Sequence, residues 1–215
     1  MSGALLAGGA VAALFASTMS AQSAPASAES EVPSQRIEIG IQTVNGSGCP
    51  KGTAAVATAQ DNTAFTVTYS DYLAQVGGGA SPTDVRKNCQ LNLDVHVPQG
   101  FTYAVAAVDY RGFAQLQNGA KGLQKASYYF QGSPHTAHQN HEFKGPFTDN
   151  WQTRDSTDYS ELVWAPCGED KNFNINSELR VSAGTSDSDS STSFMTMDST
   201  DGSVSTIFQL SWKKC

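Results

Sequence analysis

The sequence predicts an all-β protein, an antiparallel and jelly-roll-like β-sandwich cross-linked by two disulfides. Short segments in which apolar and polar residues alternate recur along the chain, and turn residues separate them. No segment of ten residues has the 3.6-residue apolar spacing of an amphipathic helix. The four cysteines all lie downstream of an apolar leader, and an even number of cysteines in an exported chain predicts disulfides.

Residues 1–28 have the order of a secretory signal peptide. An apolar run at residues 4–16, too short to span a bilayer, is followed by small-x-small cleavage sites at residues 24–28. A disordered Ala/Ser-rich leader is the alternative. We interpret residues 29–35 as a polar linker and residues 36–215 as a single sandwich domain, a length that suffices for one core. We therefore expect a secreted, extracellular protein with no membrane span.

The stretch at residues 89–112 carries the clearest pattern. In residues 89–97 the odd-numbered positions are apolar and the even-numbered positions are polar. Residues 101–110 are apolar at both parities, which is typical of a strand covered on both faces. Because Pro98-Gln99-Gly100 has turn chemistry, the two halves predict an antiparallel hairpin with a central second strand.

The same two-residue period predicts the other strands in chain order. They are residues 36–44, 53–59 and 63–69 before the hairpin, and 122–130, 162–165, 173–181, 194–197 and 204–212 after it. Residues 132–158 are polar and poorly periodic, so they predict a long loop. About nine short strands at regular spacing are typical of a sandwich or a jelly roll.

Four cysteines, Cys49, Cys89, Cys167 and Cys215, allow three disulfide connectivities. We favour the pairs Cys49–Cys89 and Cys167–Cys215, because each ties one half of the chain to itself. A thiolate metal site is disfavoured, since no CxxC spacing occurs and thiols are oxidised outside the cell.

The net charge of −7 bears on the class of partner. An acidic protein is repelled by polyanions, so we expect neither nucleic acid nor an anionic membrane as the main partner.

Several motifs together resemble one known family. They are GSGCPKGT at residues 46–53, RKNCQL at 86–91, PQGF at 98–101, YRG at 110–112, GP at 145–146, WAPCG at 164–168 and the terminal cysteine. The order resembles the domain-of-unknown-function family 4360, exported proteins of bacteria and fungi, over about residues 37–215. The resemblance implies secretion and a cysteine-bridged β-fold, and it implies no activity.

A histidine-rich segment offers one chemical hypothesis. His135, His138, His141 and Glu142 lie within eight residues, and imidazoles bind Zn²⁺ or Cu²⁺ near neutral pH. Spacings of three suit a helix face, whereas the flanking prolines indicate a loop. The segment therefore predicts either a divalent metal site or a solvated polar loop. We expect no other cofactor.

Four aromatic residues, Tyr72, Tyr110, Trp151 and Tyr159, lie in or near the predicted loops. Flat rings there would stack on sugars or anchor a protein partner, and ordinary core and rim packing is the alternative. No GxSxG or HExxH motif is present, so we assign no catalytic residue and keep an unrecognised hydrolase as an alternative. The preferred hypothesis is a secreted, non-catalytic binding or surface-interaction module for cell-wall carbohydrate or a protein partner.

Overall fold

The computed structural model describes residues 31–197 and 206–215 as two antiparallel sheets packed face to face. The predicted signal peptide at residues 1–28 and the start of the predicted linker lie outside the described residues. The all-β, antiparallel architecture is confirmed. No helix in the described ranges is long and apolar enough to cross a membrane.

One sheet has five strands in the order β1-β5-β10-β7-β8. The other sheet has seven strands: six follow the order β2-β3-β12-β6-β11-β4, and the seventh, β9, pairs with β6. In chain order the strands are β1 (Glu38–Asn45), β2 (Ala54–Thr58), β3 (Ala64–Tyr69), β4 (Leu73–Gly77), β5 (Arg86–His96), β6 (Phe101–Leu116), β7 (Lys121–Phe130), β8 (Ala137–Lys144), β9 (Phe147–Ser156), β10 (Phe173–Ser182), β11 (Thr192–Met197) and β12 (Thr206–Lys214). A single 3₁₀ turn occupies Tyr159–Glu161.

The predicted hairpin at residues 89–110 is wrong, although both of its strands form. β5 pairs with β1 and β10 in one sheet, whereas β6 pairs with β12, β11 and β9 in the other. The turn at Pro98-Gln99-Gly100 therefore carries the chain from one sheet to the other. The two-residue period specifies which face of a strand is buried and says nothing about its pairing partner. The central position of β6 is confirmed by its three partners.

The predicted loop at residues 132–158 is also wrong. This segment forms β8 and β9, joined through the cis peptide bond between Gly145 and Pro146. β8 pairs with β7 and β9 pairs with β6, so the two strands diverge into different sheets at one edge of the sandwich. The expected strand at residues 162–165 does not form, and β4 was not expected.

The core lies between the sheets and joins their inward faces in one hydrophobic cluster. Its largest fully buried side chains include Trp212, Tyr103 and Phe208, and the Phe65 and Phe208 rings stack at a centroid distance of 4.6 Å. Aromatic burial of this kind supplies much of the stability of a β-sandwich.

Both predicted disulfides are confirmed. Cys49 pairs with Cys89 across 40 residues, and Cys167 pairs with Cys215 across 48 residues. The first lies in the core, and the second lies at the surface and fastens the last strand. In the loop-entropy model each closure stabilises the fold by roughly 4 kcal/mol.

Candidate functional site

The histidine-rich segment lies on and just before β8, where alternation separates its side chains. His138 and Glu142 are on the outer face of the five-stranded sheet, His141 is on the inner face, and His135 precedes the strand. Within residues 31–197 and 206–215, no three His, Cys, Asp or Glu side chains lie close enough together to hold a metal ion. The structure does not bring the four predicted ligands together.

Three of the four predicted binding aromatics are core residues, so their expected loop exposure is wrong. Tyr72, Tyr110 and Trp151 are each no more than 3% exposed, and Tyr110 and Trp151 lie inside β6 and β9. Their rings fill the space between the sheets and cannot stack on a sugar from solution. Tyr159 is 48% exposed and packs edge-to-face on Trp164.

The outer face of the five-stranded sheet carries an unusual concentration of side-chain amides. We call this surface the amide face. Strand alternation places one parity of β5, β7, β8 and β10 in the core and the other on this surface. Its amide residues are Asn88, Gln90, Asn92, Asn140, Asn174 and Asn176, with Asn172 just before β10.

Strand register aligns the side chains of the amide face in rows that cross the sheet. Asn176 on the central strand β10 lies between Gln90 on β5 and Ser127 on β7, and Ser127 faces His138 on β8. At a strand spacing of about 4.8 Å, this row is roughly 14 Å long. The rows therefore present polar groups in a regular, extended array.

A depression of about 430 Å³ lies on the amide face. Its walls include Asn176, Gln90, Ser127, His138 and Asn140, which come from four neighbouring strands. Because these residues belong to hydrogen-bonded strands, the spacing of their backbone positions is fixed before any ligand arrives.

The amides at one end of the face bind one another, and those in the depression do not. Asn92 donates to Oδ1 of Asn174 at 2.8 Å and accepts a hydrogen bond from Asn172 at 2.5 Å. The side chains of Asn176 and Gln90 make no hydrogen bond to another residue in the described part of the chain. Each of these two amides therefore has a donor and an acceptor group available for a ligand.

The end of the amide face beside the depression is basic. Glu178 is held between Arg86 and Arg180, so one carboxylate faces two guanidinium groups. The ammonium groups of Lys121, Lys125 and Lys144 have no ion-pair partner among the residues described. A protein of net charge −7 thus gathers positive charge at one place on this surface.

A second polar contact lies inside the edge of the sandwich. Nε2 of His141 donates to Oδ1 of Asp155 at 2.6 Å, and burial raises the pKa of the Asp155 carboxyl, an effect that the hydrogen bond and the charge of His141 oppose. In the described ranges, no hydroxyl or thiol is hydrogen-bonded to His141. The pair has the base and the orienting carboxylate of a hydrolytic triad, and no nucleophile is assembled beside it.

The sequence interpretation missed the amide face as a site. The signal was present as Asn172, Asn174 and Asn176 at alternate positions, repeated by Asn88, Gln90 and Asn92. Asparagine is depleted in strands, in which β-branched and aromatic residues are enriched. A series of amides at alternate positions on two paired strands therefore indicates a binding surface more specifically than a single amide does. The sequence did not reveal that β5 and β10 pair.

Comparison with known proteins yields two findings. A family model described as "Domain of unknown function (DUF4360)" matches residues 35–215. A protein of Arthroderma benhamiae described as "Uncharacterized secreted protein" is 36% identical over 173 residues, which cover 80% of this chain and 69% of that relative. The likeness to a secreted relative agrees with the two disulfides, which fit an extracellular protein.

Proposed function

We propose that this chain, which belongs to the DUF4360 family, is a secreted, non-catalytic module that binds carbohydrate chains on its amide face. The observation that carries the proposal is the depression in which Asn176 and Gln90 have unpaired amide groups. The suspected family resemblance is confirmed, and the secreted class of protein follows from the comparison and the disulfides.

The chemistry of amides matches that of sugars. Each sugar hydroxyl is both a donor and an acceptor, and a carboxamide offers both groups at a fixed separation. Asn176 and Gln90 lie on paired strands, so their backbones are already ordered and only their side chains lose conformational freedom when they bind a ligand.

A protein partner fits this surface less well. The centre of a protein–protein interface is depleted in charged groups and usually contains aromatic or aliphatic anchors in desolvated pockets. The depression on the amide face is lined by polar and charged residues instead, among them Asn176, Ser127 and Glu178. A row of neutral polar groups roughly 14 Å long supports an extended, polyhydroxylated ligand.

The test is a depletion assay with insoluble chitin, cellulose, β-glucan and peptidoglycan, in which protein and released sugar are both measured in the supernatant. We expect depletion by at least one polymer without sugar release. Asn176→Ala removes one donor and one acceptor, each worth about 0.5–1.5 kcal/mol, so its affinity falls about tenfold. Asn150→Ala, an exposed amide on β9 in the other sheet, is the matched control and binds like the wild type.

Four results would contradict the proposal. Sugar release would identify a hydrolase. Equal depletion of Asn176→Ala and the wild type would move the site away from the amide face. Loss of binding with a chelator, restored by Zn²⁺, would assign the function to a metal held by the histidine-rich segment. If no polymer depletes the protein, the carbohydrate assignment is rejected.

A further inference from the structure

The edge of the sandwich between β8 and β9 contains a crevice that shares no lining residue with the depression on the amide face. We call it the side crevice. It exists because β8 continues into one sheet and β9 into the other, so the two strands separate. The contact between His141 and Asp155 spans the gap between the two strands.

The walls of the side crevice are mainly apolar. Val105, Phe130, Val163 and Phe173 contribute aliphatic and aromatic surface, and the cavity volume is about 90 Å³. A cavity of about 150 Å³ lined by apolar side chains accepts benzene. The side crevice therefore accepts a smaller apolar body, such as a chain of about four carbons.

Two buried polar atoms of the lining lack partners. Asp155 and Tyr128 are each 8% exposed, and both line the crevice. Oδ2 of Asp155 and the hydroxyl of Tyr128 have no hydrogen-bond partner. An unsatisfied buried polar group costs about 1–3 kcal/mol, so a donor that reached either of these atoms would be favoured.

The charge of the lining is of one sign. Asp155 lies inside and the exposed Glu161 lies at the margin, and no Lys, Arg or His is among the residues that form the crevice. An anion would meet two carboxylates there. A cation would find charge complementarity, and a hydrogen-bond acceptor for an N–H group at Oδ2 of Asp155.

We propose that the side crevice binds a small primary amine, with the ammonium group at Asp155 and Tyr128 and a short aliphatic chain against Val105, Phe130 and Phe173. The class includes free aliphatic amines and the end of a lysine side chain. The site is independent of carbohydrate binding on the amide face.

Amine binding at this site is coupled to the ionisation of the Asp155 carboxyl. Burial raises the pKa of this carboxyl, while its contact with His141 acts in the opposite direction. A bound ammonium ion favours the carboxylate form. Amine binding is therefore accompanied by proton release when the pH lies near the raised pKa.

The experiment titrates the purified secreted protein with n-butylammonium chloride and follows the NMR signals of residues that line the crevice. Butan-1-ol and butyrate, with chains of the same length, are the neutral and anionic controls. We expect saturable shifts with the amine, at least tenfold weaker binding of the alcohol, and no binding of butyrate. Asn176→Ala, altered on the amide face, binds the amine like the wild type.

Variants distinguish the contribution of the Asp155 charge to amine binding from that of the cavity shape. Asp155→Asn keeps the shape and removes the charge, so amine affinity falls at least tenfold. Asp158→Asn, which changes an exposed carboxylate three residues away, leaves it unchanged. If Asp155→Asn does not fold, Glu161→Gln at the exposed margin is the substitute, with about threefold weaker binding. Equal binding of amine and alcohol, or unchanged affinity in both Asp155→Asn and Glu161→Gln, would overturn the proposal.

Discussion

Asp155 combines burial, one hydrogen bond and one unpaired oxygen in a single side chain. Its Oδ1 accepts a hydrogen bond from His141, and its Oδ2 has no partner. Burial is the largest influence on its ionisation and raises the pKa. A residue in this position makes the stability of the fold depend on pH in a direction opposite to that of a carboxylate in a surface ion pair.

The pH dependence of stability is a prediction at this scale. An unfolded Asp titrates near pH 3.9, and the raised native pKa of Asp155 means that the folded chain keeps a proton that the unfolded chain has released. The stabilising contribution is thus complete below about pH 3.9 and is lost as the pH rises through the native pKa. The melting temperature of Asp155→Asn, measured relative to that of the wild type, is therefore higher at about pH 7 than at about pH 4.

The hydrogen bond from His141 opposes the effect of burial on the Asp155 carboxyl, but the pKa of this carboxyl is still raised, so the direction of the prediction is unchanged. Calorimetric scans at both pH values give the result, with Asp158→Asn as the control for loss of one negative charge. A constant difference between Asp155→Asn and the wild type would show that Asp155 titrates as it does in the unfolded chain.

Individual strands were predictable where burial alone determines their pattern. β5 and β10 have clean alternation, and their predicted spans agree with the structure to within a few residues, as do those of β1 and β7. β8 was missed because two of its inward positions hold Gln139 and His141, which are polar. The β5–β6 hairpin was mispredicted because a Pro-Gly turn also fits a connection between two sheets.

The amide face could be predicted only in part, because its residues are visible in the sequence and their strand pairing is not. The outward positions of β5 and β10 were predicted as solvent-facing, yet their value as a site depends on the register that sets Asn176 beside Gln90. The buried aromatics show the reverse error. Tyr110 was placed near a loop because its strand was predicted to end there, whereas β6 continues to Leu116. Trp151 was placed in a loop because β9 was not recognised, so its contacts with β6 could not be inferred.

Close packing where β6, β9 and β11 meet gives a prediction at the scale of elements. A Cβ at Gly112 would overlap the backbone oxygen of Thr196 and the ring of Trp151, neither of which can move without disturbing a strand. Gly112→Ala therefore lowers the free energy of unfolding by about 1–3 kcal/mol. Denaturant titration measures the change.

A matched control is available in the other sheet. A Cβ at Gly40 on β1 meets no atom within 4 Å, so Gly40→Ala changes stability by less than about 0.5 kcal/mol. Equal stabilities of the Gly112→Ala and Gly40→Ala variants would mean that β11 does not pair with β6 at this position.

The two disulfides differ in exposure, and this difference gives a prediction for the whole molecule. Cys49 and Cys89 are at most 1% exposed, whereas Cys167 and Cys215 are both exposed at the end of the chain. Thiol–disulfide exchange requires access of the attacking thiolate to sulfur. Mild reductant applied to the native protein therefore opens Cys167–Cys215 first, and alkylation followed by peptide mass spectrometry identifies the modified pair. Preferential labelling of Cys49 and Cys89 would contradict the packing.

The molecule as a whole separates its surfaces by chemistry. The amide face presents neutral polar groups with a basic end, the side crevice is apolar and acidic, and the core between them is aromatic. The two candidate sites lie on different surfaces and share no lining residue. Loss of one binding activity should therefore leave the other intact.

The most direct measurement follows the side-chain NH₂ signals of asparagine and glutamine by NMR during titration with soluble chito- and gluco-oligosaccharides. Ligand hydroxyls that bind the amide face shift the signals of Asn176 and Gln90, while that of Asn150 on the other sheet stays in place. Saturable binding that shifts residues elsewhere and leaves Asn176 and Gln90 unchanged would contradict the assignment of carbohydrate binding to this face.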